Sequence, residues 1–135
     1  MIRQVSLTLS ARQKGFHLIT DSVLEKLGDL PAAGLLTLFI QHTSAGLTIN
    51  ENADPTVRQD LNSALDRLAP EDAEYLHDDE GPDDMPAHVK SVLTGSSITI
   101  PILNHKLALG RWQGITLCEF RAQATPRTII ATIVF

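Results

Sequence analysis

Hydrophobic and polar residues alternate at the start of the chain, where Val5, Leu7 and Leu9 are separated by Ser6 and Thr8. A period of two marks a strand with one buried and one wet face. Residues 11–14 form a polar turn, and Gly15-Phe16-His17-Leu18-Ile19 returns as a second short strand, so the two read as a hairpin. Val23, Leu24 and Leu27 then recur at helical spacing. Thr20 or Asp21 can cap that helix, and Gly28 and Pro31 close it.

Residues 35–40 are nearly all apolar, which suits a central strand covered on both faces. Residues 41–55 read as a polar stretch that ends at Asp54-Pro55, a side-chain N-cap followed by proline at the first helical position. From there Val57, Leu61, Ala64, Leu65 and Leu68 form an apolar stripe that Pro70 ends, and the stripe is expected to lie on the sheet. A third helix is expected over residues 86–93, with Pro86 at its start and Gly95 as its stop.

Ile98, Ile100 and Ile102 alternate again, with Pro101 marking an edge or irregular position. Asn104-His105-Lys106 is a turn, residues 112–120 and 127–135 are strands, and residues 121–126 turn the chain between them. About seven strands and three helices, with hairpins at both ends, predict one α+β domain over residues 1–135 built on a mostly antiparallel or mixed sheet.

Composition narrows the class. Of the residues, 43% are hydrophobic and 20% charged, which is globular and not disordered. The single Cys118 excludes an intrachain disulfide framework and reads as a small buried thiol. No leader or membrane span is visible, so a cytoplasmic protein is expected. The net charge of −5 hides an asymmetry: residues 71–84 hold eight acids and no Lys or Arg, leaving eight acids against eleven bases elsewhere. With aromatics at only 4% and no basic stripe, nucleic acid is not the expected partner, whereas a small anionic ligand meeting a few arginines is.

The loop of residues 41–54 concentrates chemistry: a histidine, hydroxyls, asparagines and carboxylates lie between a strand and a helix. His42, His77 and His88 all sit at loops or helix starts beside carboxylates. Three imidazoles around one divalent cation, with a position left for water or substrate, form a catalytic arrangement that zinc favours. Glu51 and Asp54 could orient a ligating histidine, or one could act as general base, although Asp54 is also explained as a helix cap. Arg127 or Arg121 could clamp a phosphate, or pair with Glu119 at the surface. Gly95-Ser96-Ser97 offers N–H groups and hydroxyls to an anion, or is an ordinary helix-end turn. There is no Gly-rich phosphate loop, no GxSxG and no internal repeat.

Taken together, a series of motifs resembles the YjbQ-like family, often labelled secondary thiamine-phosphate synthase enzyme. They are His42-Thr43-Ser44-Ala45, Asn50-Glu51-Asn52-Ala53-Asp54-Pro55, Tyr75-Leu76-His77, Met85-Pro86-Ala87-His88-Val89-Lys90, Leu93-Thr94-Gly95-Ser96-Ser97, Leu107-Ala108-Leu109-Gly110, Trp112-Gln113-Gly114-Ile115 and Pro126-Arg127. The resemblance runs in order from about His42 to the C-terminus. It implies a compact α+β subunit, a homotrimer, and a pocket near a subunit boundary lined by the histidines and acids named above. It also implies a weak ability to join a pyrimidine pyrophosphate to a thiazole phosphate with release of pyrophosphate.

The candidate ligands are then His42, His77 and His88, with Glu51, Asp54 and Arg127 as catalytic candidates and Ser44, Gly95, Ser96 and Gln113 as cofactor-binding ones. Arg111 and Arg121 depart from the family's usual threonine and aspartate, adding positive charge near the expected pocket. Pyrophosphate displacement calls for Mg²⁺ held by oxygens, whereas a histidine set calls for zinc or another transition ion. The rival expectation is a non-catalytic trimer that binds a small ligand, or docks a basic partner through its acidic segment.

Overall fold

The alternation at the N-terminus does build a strand, but not a hairpin. The computed structural model describes residues 1–135. In chain order it holds β1 (Ile2–Leu9), β2 (Gly15–Leu18), α1 (Thr20–Leu27), β3 (Ala33–Ile40), β4 (Ala45–Glu51), α2 (Pro55–Leu68), α3 (Asp84–Thr94), β5 (Ser97–Leu103), β6 (Lys106–Leu107), β7 (Gln113–Glu119) and β8 (Arg127–Val134). Five strands form one sheet in the order β1-β8-β3-β5-β6, and three form a second in the order β2-β7-β4. Every pairing is antiparallel, and the fold is α+β.

Both expected terminal hairpins are therefore corrected. β1 pairs with β8 and β2 with β7, so neighbours in sequence part company into different sheets. The reason is burial: Leu7 and Leu9 need a facing apolar layer, and the inner faces of the two sheets provide it for each other. The tight hairpin is β5–β6, where Asn104 and His105 have φ of 51° and 64°. Positive φ at both central residues is what a primed two-residue turn demands.

The core joins Leu36, Leu38, Ile40, Ile100, Ile129 and Ile133 of the large sheet to Leu47, Ile115 and Leu117 of the small one, with Val23 and Leu27 of α1 closing it. α2 and α3 cover the other face of the small sheet, around Phe16, Ala87, Cys118 and Phe120. The strand buried on both faces is thus β7, sandwiched between the large sheet and the helices. β3 is central but one-sided: Leu36 and Leu38 are buried, while Leu35 and Phe39 are 49% and 46% exposed.

Three local readings also change. Residues 45–51, expected within a loop, form β4, because Leu47 lies inward opposite Leu117 despite the polar residues around it. Thr20 does not cap α1; its Oγ1 accepts the Ile115 N–H at 2.9 Å. The stripe of α2 is only half-covered: Leu61 and Leu65 pack against the small sheet, but Leu68 is 69% exposed. Asp54 does cap α2, accepting the Thr56 N–H at 2.9 Å.

The outward face of the large sheet exposes the large apolar side chains Ile2, Leu35, Phe39 and Val134. Register aligns Ile2, Val134, Leu35 and Pro101 in one row across four strands, and Ser6, Ile130, Phe39 and Ser97 in another. Between them runs a row of Gln4, Thr132, Thr37 and Thr99. No helix is long and apolar enough to cross a membrane.

Cys118 is fully buried, and burial pushes its thiol up to about 12. Only the thiolate attacks disulfide reagents, so the native protein is expected to leave an aromatic disulfide reagent untouched and to release one thiol per chain in urea. Rapid native labelling would show that α2 and α3 do not seal the sheet.

Candidate metal centre

The N-terminal turn of α3 brings ionisable groups together. Asp84 and His88 stand one helical turn apart and face the same way. The chain before the helix folds back so that His77 lies over them, its ring centroid 5.6 Å from that of His88. His77 Nε2 is 2.7 Å from Asp84 Oδ2, and His88 Nε2 is 3.2 Å from the same oxygen. One donor atom from each of the three residues lies within 4.8 Å of the others.

The tautomer of His88 follows from its other contact. Nδ1 donates to the Thr43 carbonyl at 2.8 Å, so in the neutral ring Nε2 carries a lone pair aimed at a carboxylate oxygen. Two lone pairs so placed repel unless a proton or a cation lies between them. Zinc bonds of about 2.0–2.2 Å in tetrahedral geometry separate ligand atoms by roughly 3.3 Å, close to the 3.2 Å between His88 and Asp84, whereas the 2.7 Å between His77 and Asp84 is that of a direct hydrogen bond. A carbonyl holding the far nitrogen of a histidine is also the usual support for a ligating imidazole.

The charges of the cluster are coupled to one another. Burial raises the Asp84 carboxyl, but the His77 hydrogen bond, nearby His88 and the Arg121 guanidinium together hold it below the usual carboxylate range. The bond to Asp84 raises His77 above its ordinary value, against the effect of desolvation. Beside the centre, His77 also edges a cleft of about 700 Å³ walled by Glu74, Tyr75, Leu76, Asp78 and Met85.

The remaining candidates divide between two ends of β4. Thr43 and Ser44 lie at the His88 end. Glu51 lies six residues beyond Ala45, about 20 Å along the strand. Glu51 there accepts the Asp54 N–H at 3.3 Å, and Asp54 is occupied as the helix cap. Gln113 pairs opposite Glu51, and its Oε1 accepts the Gly110 N–H. Within one chain, then, Glu51, Asp54 and Gln113 are not partners of the histidines.

His42 is at the right end of the strand but in the wrong state. Its Nε2 accepts the Thr128 N–H at 2.8 Å, so the neutral ring carries its proton on Nδ1 and offers no lone pair to a metal. Burial and the neighbouring Arg127 charge both lower its pKa, which keeps the ring neutral.

Arg127 is not an open clamp. Its Nε binds Glu119 Oε1 at 2.7 Å and its Nη2 binds Glu119 Oε2 together with the Ser44 carbonyl and hydroxyl. The Arg127–Glu119 pair expected at the surface is buried, and Arg121 pairs instead with Asp83 and Asp84. Gly95 gives its N–H to Ser91 and its carbonyl to Leu47, while the Ser96 carbonyl accepts from Ile40, so that turn knits α3 to both sheets.

Residues 5–135 match the profile of the UPF0047 protein YjbQ-like family. The chain belongs to the YjbQ family. It is 50% identical over 132 residues to the UPF0047 protein YjbQ of Escherichia coli O157:H7, with 96% of each chain covered. The UPF0047 protein YugU of Bacillus subtilis is 40% identical over 108 residues, covering 80% of this chain and 76% of its own. Among solved structures, an uncharacterized conserved protein of the YjbQ/UPF0047 family from Clostridium acetobutylicum superposes with a TM-score of 0.84. It is 36% identical and covers 96% of this chain and 99% of its own.

For this YjbQ-family chain the residue that sequence reasoning missed is Asp84. An Asp four residues before a His at a helix start was a usable signal, but reading Pro86 as the first helical residue left Asp84 in the loop. Proline is tolerated throughout the first turn, where N–H groups lack intrahelical acceptors, so α3 starts two residues earlier.

Proposed function

We propose that this chain is a metal-dependent enzyme holding a divalent transition ion, zinc first among them, on Asp84, His88 and His77. The observation that carries the reading is the aim of the His88 Nε2 lone pair and the Asp84 oxygen at a common point, with His77 beside them. Two nitrogens and one carboxylate oxygen match catalytic zinc sites, which leave a fourth position open, better than the all-oxygen shell Mg²⁺ prefers. When bound, such an ion supplies Lewis acidity to a phosphoryl or carbonyl oxygen. This chain's own part is to fix the ligands and to flank them with the cleft beside His77.

A small phosphorylated substrate remains the proposed class. The thiamine-phosphate synthase reaction is proposed as a weak side activity, because releasing pyrophosphate requires uncompensated positive charge. Arg127 is compensated by Glu119, and Arg121 by Asp83 and Asp84. Mg²⁺ would enter with a pyrophosphate substrate. The proposed setting is the cytoplasm.

The proposed assembly is the homotrimer, supported by the exposed Ile2, Leu35, Phe39 and Val134 on the outer face of the large sheet, which a neighbouring copy would cover. A trimer whose faces pack there without any catalysis is the second reading, favoured by the same face. Elemental analysis after purification without a nickel column is expected to find one transition ion per chain, and His88→Ala to reduce it to a trace. Unchanged metal content in that variant would remove the assignment. Metal without turnover of phosphorylated substrates would favour the second reading.

A further inference from the structure

This inference rests on reading Asp84 as a ligand. The two oxygens of that buried carboxylate have different partners. Oδ2 faces His77 and His88, while Oδ1 accepts from Arg121 Nη1. Arg121 stands just past β7, and the rest of its guanidinium is directed to the same short stretch. Nε donates to Asp83 Oδ2 at 3.1 Å and Nη2 to the Glu80 carbonyl at 3.0 Å. The backbone N–H of Ala122 adds a bond to the same Asp83 oxygen at 2.8 Å. One side chain thus ties down residues 80, 83 and 84, which lie between His77 and His88.

We infer that Arg121 is the positioning residue of the metal centre, fixing which Asp84 oxygen faces the imidazoles and holding the turn that returns His77 to them. A carboxylate can rotate about its Cβ–Cγ bond and present either oxygen or both. With Oδ1 claimed by a guanidinium, only Oδ2 is left for an ion, in a fixed direction. Arg121 also stands between two adjacent carboxylates, Asp83 and Asp84, that would otherwise repel across the turn. The planar fork matters, because a lysine ammonium cannot reach these three acceptors along their separate directions. Groups that orient metal ligands typically alter affinity by 10–100-fold when removed.

The test is titration of the full chain with Co²⁺ and Zn²⁺ for the unaltered protein, Arg121→Lys, Arg121→Met and His88→Ala. The visible bands of bound Co²⁺ report ligand geometry. Both Arg121 variants are expected to bind Co²⁺ about 10–100-fold more weakly and with a changed spectrum, whereas His88→Ala loses the ion. A purely bracing role would lower stability and leave affinity and spectrum alone. If folded Arg121→Lys binds with unaltered affinity and spectrum, the positioning role is wrong while the metal reading survives on His88→Ala. If the unaltered protein binds no Co²⁺ or Zn²⁺, both fall together. Should Arg121→Met fail to fold, Arg121→Lys decides.

Discussion

Replacing Glu119 with alanine is expected to destabilise the protein by about 3–5 kcal/mol, the range for removing one partner of a buried ion pair. The Glu119 side chain is 0% exposed and that of Arg127 5%, so water cannot replace the lost contact. The guanidinium would be left with the Ser44 carbonyl and hydroxyl, neither of which carries charge. Two backbone N–H groups, those of Phe120 and Arg121, would also lose the Glu119 Oε2 acceptor. Urea denaturation should show a lower midpoint with an unchanged slope, as expected when stability alone changes. The double variant Glu119→Leu, Arg127→Met should recover much of the loss, because an apolar pair of similar volume avoids desolvating two charges. A Glu119→Ala effect below about 1 kcal/mol would mean that solvent reaches the pair as it reaches surface pairs.

That pair also shows where sequence reading reached its limit. The presence of Glu119, Arg121 and Arg127 near one turn was plain, but which arginine meets the acid depends on the chain leaving one sheet and entering the other. Local alternation reports that a strand has a buried face; it does not report which strand lies beside it. Val5, Leu7 and Leu9 announced β1, yet its partner β8 lies at the opposite end of the chain. α2 was legible to its cap because Asp54, Pro55 and the apolar spacing act within a few residues. β4 was not, since the polar residues flanking Leu47 resemble a loop until β7 supplies a partner for its backbone. The same limit applied to the histidines. His77 and His88 meet because a fourteen-residue acidic stretch doubles back onto α3, whereas His42, in the motif richest in polar groups, uses Nε2 to hold the Thr128 backbone.

The second large effect is expected from Asp84→Asn, and it separates a metal ligand from a structural carboxylate. Asparagine keeps the shape of the side chain, and its Oδ1 can still accept from Arg121. Its amide N–H₂ would then occupy the place of Oδ2 and donate to the lone pair of His88 Nε2, a contact that needs no cation, while the bond from His77 to that position is given up. The variant should therefore fold, while its affinity for Zn²⁺ falls by more than about 100-fold, beyond the change seen when only a supporting group is lost. Thermal unfolding with added Zn²⁺ gives a direct reading. At a free concentration of 100 times the dissociation constant, the unaltered protein should gain about 2.7 kcal/mol, and the variant almost nothing at the same concentration. If Asp84 served only to pair with Arg121 and His77, the outcome would reverse: lower stability without metal, and an unchanged gain on adding Zn²⁺. Because Asn retains the volume and the Arg121 contact, loss of the zinc-dependent gain could not be attributed to a collapsed helix start. It would mark the Asp84 oxygen as the anionic ligand that two imidazoles alone cannot replace.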